Sequence, residues 1–249
     1  MAAELFLQAD TTYGNYGILR PVTVVGTRNI GIIWATGWIQ TTQNMLKDIF
    51  GGGPSAQPKL VWWLASRYTV LVTQRGLDND PANTWGNSTG VAAIEDAYQV
   101  LISLGCATKV GLVGWSGGQS DVSQWAAANP SKVRGIASII GATNLQDIRD
   151  LWTAPILGLD ARAAIDAAWG VTYPAPLPAG AEPYQQITAI SGLAQATAWI
   201  GSADTVVGPG GATQWATAAG GTVHVVPGAG HDDAVANTID RDEFSRLFI

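Results

Sequence analysis

Short apolar runs bounded by turn residues alternate, along most of the chain, with longer stretches of helical periodicity. That rhythm constrains the fold more than any other feature, because strands that take turns with helices pair in parallel and need both sheet faces covered. Strands are expected at 4–8, 18–25, 30–34, 69–73, 109–113, 135–140, 195–200 and 222–226, the first two separated by the turn-like TTYGNYG at 11–17. Helices are expected at 44–50 and 60–67, on either side of the breaker GGGPSAQP at 51–58, and at 89–104, 119–128, 211–219 and 233–248. The fold class implied is α/β: one domain over 1–249, built on a mostly parallel, eight-stranded, doubly wound sheet.

Residues 144–194 break the rhythm. NLQDIRDLW, ARAAIDAAWG and the turn-rich YPAPLPAGAEPY make a small helical insertion between the sixth and seventh strands. It starts from the carboxyl edge of the sheet, where open α/β sheets bind ligands, and reads as a cap shaping a pocket. The rival reading is a surface excursion that only connects two strands.

With 249 residues, 47% of them apolar, the chain can bury a sizeable core. Its net charge is −6, and its 13 lysines and arginines are scattered singly, so nucleic acid is excluded as a natural partner. Charged residues reach only 13%, against a usual ~25%. So charge-poor a surface suits contact with an apolar substrate or with a second copy in a homo-oligomer, unless Thr, Gln, Asn and Ser supply the polarity instead. The single cysteine, Cys106, rules out an intramolecular disulfide and reads as a small buried filler. Two histidines and one cysteine cannot supply a dedicated zinc site, and no phosphate-binding loop is present, so no metal and no cofactor are expected. MAAELFLQAD lacks a basic n-region and a long apolar run, and nothing approaches the ~18 apolar residues of a membrane span. The expectation is a cytoplasmic protein, or one released without a cleaved signal; a secreted mature form would read the same.

Gly114-Trp115-Ser116-Gly117-Gly118 matches G-x-S-x-G. The match is weak alone, but here it joins a buried run, KVGLV, to a helix, QSDVSQWAAA. A serine at such a turn is lifted clear of the sheet edge, with a helix N-terminus behind it to favour developing negative charge. A hydroxyl is a poor nucleophile near neutral pH and needs a base. His224 lies inside TVHVV and reads as structural, whereas His231 follows VPGAG at the same edge as Ser116. The residue orienting the imidazole is expected to be Asp204 in WIGSADTVVGP, giving the order Ser, Asp, His along the chain. Asp147 is a rival, while Asp232 and Asp233 are too close in sequence to aim at the His231 ring. For the oxyanion, one backbone N–H is expected from Gly117, with Trp115 as the alternative, and one from Trp38 in WATGWIQ.

These segments resemble the α/β-hydrolase superfamily over nearly the whole chain. IGIIWATGW stands where that family has a strand and a His-Gly loop, YTVLVTQRGLDND resembles the segment after the fourth strand, and LVGWSGG the nucleophile elbow. AWIGSADTVV resembles the acid-bearing strand end and VVPGAGHDD the loop carrying the family's histidine. The resemblance implies a Ser116–His231–Asp204 triad. It departs from the family at Thr36, where a histidine is frequent before the oxyanion glycine, which bears on the geometry of that loop. The short cap and the run before Asp204 also resemble the dienelactone-hydrolase and prolyl-oligopeptidase-like branches, without selecting one.

Eleven tryptophans are many for this length. Trp62 and Trp63 read as core, whereas Trp38, Trp115, Trp85 and Trp152 fall near the expected pocket and suit an apolar or aromatic wall. The expected activity is hydrolysis of a small carboxylic ester with an apolar or aromatic acyl part, through an acyl-enzyme on Ser116. A thioesterase, an amidase or a peptidase could use the same triad, and a non-catalytic binding or assembly module could retain the fold.

Overall fold

A computed structural model describes residues 3–8, 13–21, 29–38, 40–42, 44–45, 56–76, 84–152 and 160–249. The strands are β1 (Ala3–Gln8), β2 (Tyr16–Pro21), β3 (Gly31–Ala35), β4 (Thr69–Thr73), β5 (Val110–Trp115), β6 (Val133–Ile139), β7 (Gln195–Gly201) and β8 (Thr222–Val226). They form one sheet in the order β1-β2-β4-β3-β5-β6-β7-β8. β2 runs antiparallel to both its neighbours, and every other pairing is parallel. The strand order reverses at β3, whose neighbours are β4 on one side and β5 on the other. The crevice that such a reversal opens lies beyond the carboxyl ends of β3 and β5, where ligands of open α/β sheets bind.

The helices are α1 (Ala56–Ala65), α2 (Ser88–Ser103), α3 (Gly118–Ala128), α4 (Leu145–Leu151), α5 (Ala161–Trp169), α6 (Pro183–Gln186), α7 (Pro209–Ala219), α8 (Asp233–Asn237) and α9 (Arg241–Arg246). α2 buries Gly90, Ala93, Ile94, Ala97, Tyr98 and Leu101, spaced to form one apolar stripe. Its start is fixed by Asn87, whose side chain accepts from the N–H groups of Thr89 and Gly90. α3 is different: Gln119, Ser120, Asp121 and Ser123 are all buried along with Val122 and Trp125, so it carries a polar face into the interior directly behind Ser116.

Several boundaries differ from the sequence expectation. Trp115 extends β5 by two residues, and Ile140, expected in β6, instead takes a positive φ of 43° just past it. α1 begins inside the expected breaker, because Pro58 lies in its first turn, where a missing N–H costs nothing. The single helix expected at 233–248 is two helices. The first ends at Asn237, and Asp240 caps the second, its side chain accepting from Glu243 N–H at 2.8 Å. Residues 22–25 of the second expected strand and 46–50 of the first expected helix lie outside the described residues, as do 153–159 of the insertion. Among the described residues, no helix is long and apolar enough to cross a membrane.

Candidate active site

Ser116 follows the last residue of β5 and precedes α3 by two positions. Its φ is +48°, a conformation that a side chain with a Cβ seldom adopts. The turn is held by its own backbone: Ser116 N–H donates to Ile139 O at 3.1 Å, while Ser116 O accepts from Gln119 at 3.0 Å and Ala142 at 2.9 Å. The two glycines of the motif permit this approach. A Cβ on Gly114 would lie 2.2 Å from Gln119 Oε1, and one on Gly118 would lie 2.4 Å from Thr36 O and 2.5 Å from Ala35 O.

His231 lies in the loop after β8, and Asp204 in the loop after β7. These loops are stitched together by Ser202 N–H to Val226 O (2.9 Å), Ala203 N–H to Ala229 O (2.9 Å) and Gly228 N–H to Ser202 Oγ (2.8 Å). Gly201 lets them close, since a Cβ there would be 2.1 Å from Ala229 O. The result is a chain of contacts: Ser116 Oγ to His231 Nε2 at 2.9 Å, and His231 Nδ1 to Asp204 Oδ2 at 2.9 Å.

The Asp204 side chain is fully buried. Burial raises its pKa, but the hydrogen bond and charge of His231, with the N–H groups of Val207 and Val206, outweigh that and hold the carboxyl below the ordinary aspartate range. Those two N–H groups reach Oδ1 at 3.0 and 2.9 Å, leaving Oδ2 for the imidazole. An ionised carboxylate only accepts, so His231 carries its proton on Nδ1 and presents the Nε2 lone pair to the Ser116 hydroxyl. The structure therefore brings together Ser116, His231 and Asp204 in one continuous line of hydrogen-bond contacts.

The loop after β3 packs over the turn carrying Ser116. Trp38 N lies 3.1 Å from where a Cβ on Gly117 would stand, so the two expected oxyanion donors are neighbours. Trp115, the alternative donor, is the last residue of β5 and pairs in register with Ile139 of β6. The four expected pocket tryptophans divide. Trp38 packs against Trp85 (centroids 5.4 Å apart) and against Trp152 (6.3 Å, edge-on), forming one aromatic cluster. Trp115 instead stacks on the buried Trp34 at 6.2 Å, with its ring edge 3.3 Å from the position of a Gly37 Cβ. His224 is paired away from the site, with Glu243 Oε1 at 2.7 Å and its ring stacked on Trp199.

Sequence reasoning missed a buried ion pair, Arg75–Asp121, lying between the loop after β3 and α3. Its signal was a charged residue just past an apolar strand and another as the one charge of its helix, in a chain with few charges. It also missed Trp169 and Asn87, which tie the insertion to the turn carrying Trp85.

No protein-family model matches the sequence, and no curated protein matches it either. Solved structures do match. Superposition on a puromycin-hydrolysing peptidase of Mycobacterium tuberculosis gives a TM-score of 0.70 at 15% identity, covering 98% of this chain and 39% of that one. A fluorophosphonate-binding serine hydrolase of Staphylococcus aureus gives 0.69 at 10% identity, covering 100% and 98%. A naproxen esterase of Bacillus subtilis gives 0.58 at 12% identity, covering 100% and 92%. The chain spans 39% of the Mycobacterium peptidase and 41% of an acylaminoacyl peptidase of Pyrococcus horikoshii, but nearly all of the two smaller enzymes. The chain has the α/β-hydrolase fold.

Proposed function

We propose that this chain is a serine hydrolase acting on carboxylic esters. The observation that carries the reading is the unbroken contact chain from Ser116 Oγ through His231 to Asp204, with Ser116 at positive φ on a strand-to-helix turn. In this mechanism His231 Nε2 takes the Ser116 proton as Oγ bonds to the acyl carbon, and the carbonyl π electrons move onto oxygen. The N–H groups of Gly117 and Trp38 stabilise that oxyanion. Collapse expels the alcohol, which receives the proton from His231 and leaves an acyl-enzyme. Water, deprotonated by the same nitrogen, then attacks the ester and releases the acid. Asp204 stays ionised throughout, holding the ring and stabilising the imidazolium. No step calls for a metal or cofactor.

The aromatic cluster of Trp38, Trp85 and Trp152 supports an apolar or aromatic acyl part, since stacking rings favour flat or greasy groups. The same triad can cleave an amide or thioester, and several of the structural neighbours are peptidases. A panel pairing each acyl group with p-nitrophenol, a thiol and an anilide separates these activities. Ester turnover well above anilide turnover, abolished in Ser116→Ala, is the expected result. Equal or faster anilide turnover would replace the esterase reading with a peptidase or amidase.

A further inference from the structure

The buried pair of Arg75 and Asp121 sits where the nucleophile helix, the oxyanion loop and the turn before α2 meet. Both side chains are essentially inaccessible, and they touch each other directly. Arg75 Nη2 donates to Thr36 O at 2.7 Å and to Gly37 O at 3.4 Å. Asp121, in the first turn of α3, accepts from Gly86 N–H at 2.7 Å and from Thr84 Oγ1 at 2.8 Å. One ion pair therefore joins three segments: the loop expected to hold the oxyanion donor, the helix behind the nucleophile, and the turn carrying Trp85.

The contact with Gly37 O bears directly on the chemistry. In a trans peptide the C=O and N–H point in opposite directions. The carbonyl of Gly37 and the N–H of Trp38 belong to the same peptide plane. Gly37 O also accepts from Gln40 N–H at 3.2 Å, so the guanidinium and this amide together fix the peptide plane, and with it the direction of the Trp38 N–H, whose nitrogen lies beside Gly117. Rotating the plane would forfeit the Arg75 contact and leave a buried donor short of a partner. The rest of the loop is held by neutral groups: Thr36 Oγ1 donates to Gln40 O at 3.0 Å, and Gly37 N–H donates to Gln40 Oε1 at 3.1 Å.

We infer that Arg75, kept in place by Asp121, is the positioning residue of the oxyanion site, setting the direction of the Trp38 N–H through the carbonyls of Thr36 and Gly37. This rests on the hydrolase reading of Ser116. It assigns to a buried ion pair the support of a loop in which Thr36 offers only a short hydroxyl. Arg75 touches no substrate; it acts through the peptide that does.

The test uses the full chain, its Arg75→Lys variant and the double variant Arg75→Met/Asp121→Asn, in which no charge is left buried alone. Far-UV circular dichroism and thermal unfolding establish that each is folded. Kinetics with a p-nitrophenyl ester are measured beside inhibition by a trifluoromethyl ketone, which forms an oxyanion hemiketal on serine. The matching trifluoromethyl carbinol, which cannot form one, reports ground-state binding. The expected result is a kcat lower by about 100-fold with KM moved no more than about 3-fold, in the range of losing one oxyanion donor. Ketone affinity falls by a similar factor, carbinol affinity holds, and Arg75→Lys retains more activity than the double variant. Should Arg75→Lys not fold, the double variant is read by the same criteria. Folded variants with unchanged kcat, or with ketone and carbinol weakened equally, would overturn the inference while leaving the triad standing. A wild-type chain that turns over no ester and binds no ketone would overturn the hydrolase reading itself.

Discussion

The indole N–H of Trp169 donates to the backbone carbonyl of Trp85 at 3.0 Å, tying the end of α5 to the turn whose ring packs on Trp38. Asn87 adds a second tie, its Nδ2 donating to Ala168 O at 3.1 Å. On the other side of the cluster, Arg162 of α5 donates to the carbonyls of Arg149 and Trp152. α5 thus holds two of the three clustered tryptophans. Trp169→Phe keeps an aromatic ring but leaves the Trp85 carbonyl unpaired, a loss of about 1–3 kcal/mol if that carbonyl stays dry. The expected outcome is a lower unfolding temperature and a KM that rises for an aromatic ester more than for an acetyl ester. Equal changes in both KM values would detach α5 from acyl recognition.

Asp204→Asn presents an amide to His231 and favours the wrong tautomer; kcat is expected to fall by about 10⁴-fold with the fold intact. The pH dependence of stability has a defined sign. Because the folded carboxyl titrates below the ordinary value of 3.8, its stabilising contribution is present above that value and is lost as pH falls through the folded pKa. Urea unfolding of wild type and Asp204→Asn at a series of acid pH values should show the stability gap narrowing below 3.8. A gap that widens there would contradict the assigned shift.

Gly117 and Gly118 differ in what a methyl group would meet. Gly117 has a helical φ of −53°, and its added Cβ would stand 3.1 Å from the Cβ and N of Trp38, a contact that a small loop shift relieves. Gly117→Ala is expected to fold and to lose about 10-fold in kcat by displacing the Trp38 N–H. Gly118→Ala drives a Cβ into two backbone carbonyls, so it is expected to destabilise the whole protein. Thermal unfolding with ester kinetics distinguishes the two, and a Gly118→Ala protein of wild-type stability would contradict the packing of α3 under the β3 loop.

Glu182 is a buried carboxyl capping the start of α4, accepting from Leu145 N–H at 2.8 Å and Gln146 N–H at 2.9 Å. Desolvation raises its pKa above the ordinary 4.5, the nearby charge of Asp147 adds to this, and the two backbone bonds and Arg149 only partly offset it. The sign is opposite to that of Asp204: the associated stability is full below 4.5 and declines as pH rises through the folded pKa. The unfolding temperature of Glu182→Gln, minus that of wild type, is therefore expected to increase between about pH 4 and pH 7. A difference independent of pH would show that the carboxyl is not desolvated.

The strand centres were legible because each is a short apolar run with its own bounding turn, and the run itself forms the core. That His231 would be the histidine meeting Ser116 was legible because the chain holds only two histidines and the other lies inside a strand. Boundaries were less so: Asp240 could continue a helix or cap one, and only its bond to Glu243 N–H decides. The ion pair of Arg75 and Asp121 was hidden because the two lie 46 residues apart and meet only when α3 packs beneath the β3 loop. Trp115 was expected beside the other pocket tryptophans from its place in the motif. As the last residue of β5 its side-chain direction follows the strand alternation, and it stacks on Trp34.

The proposed hydrolysis requires Ser116 to be an activated nucleophile. Treating the purified chain and its Ser116→Ala variant with a fluorophosphonate, and recording intact masses, tests this most directly. One stoichiometric adduct on the wild type and none on the variant is the expected result. A folded wild-type protein that stays unmodified, or a variant labelled as readily as the wild type, would contradict it.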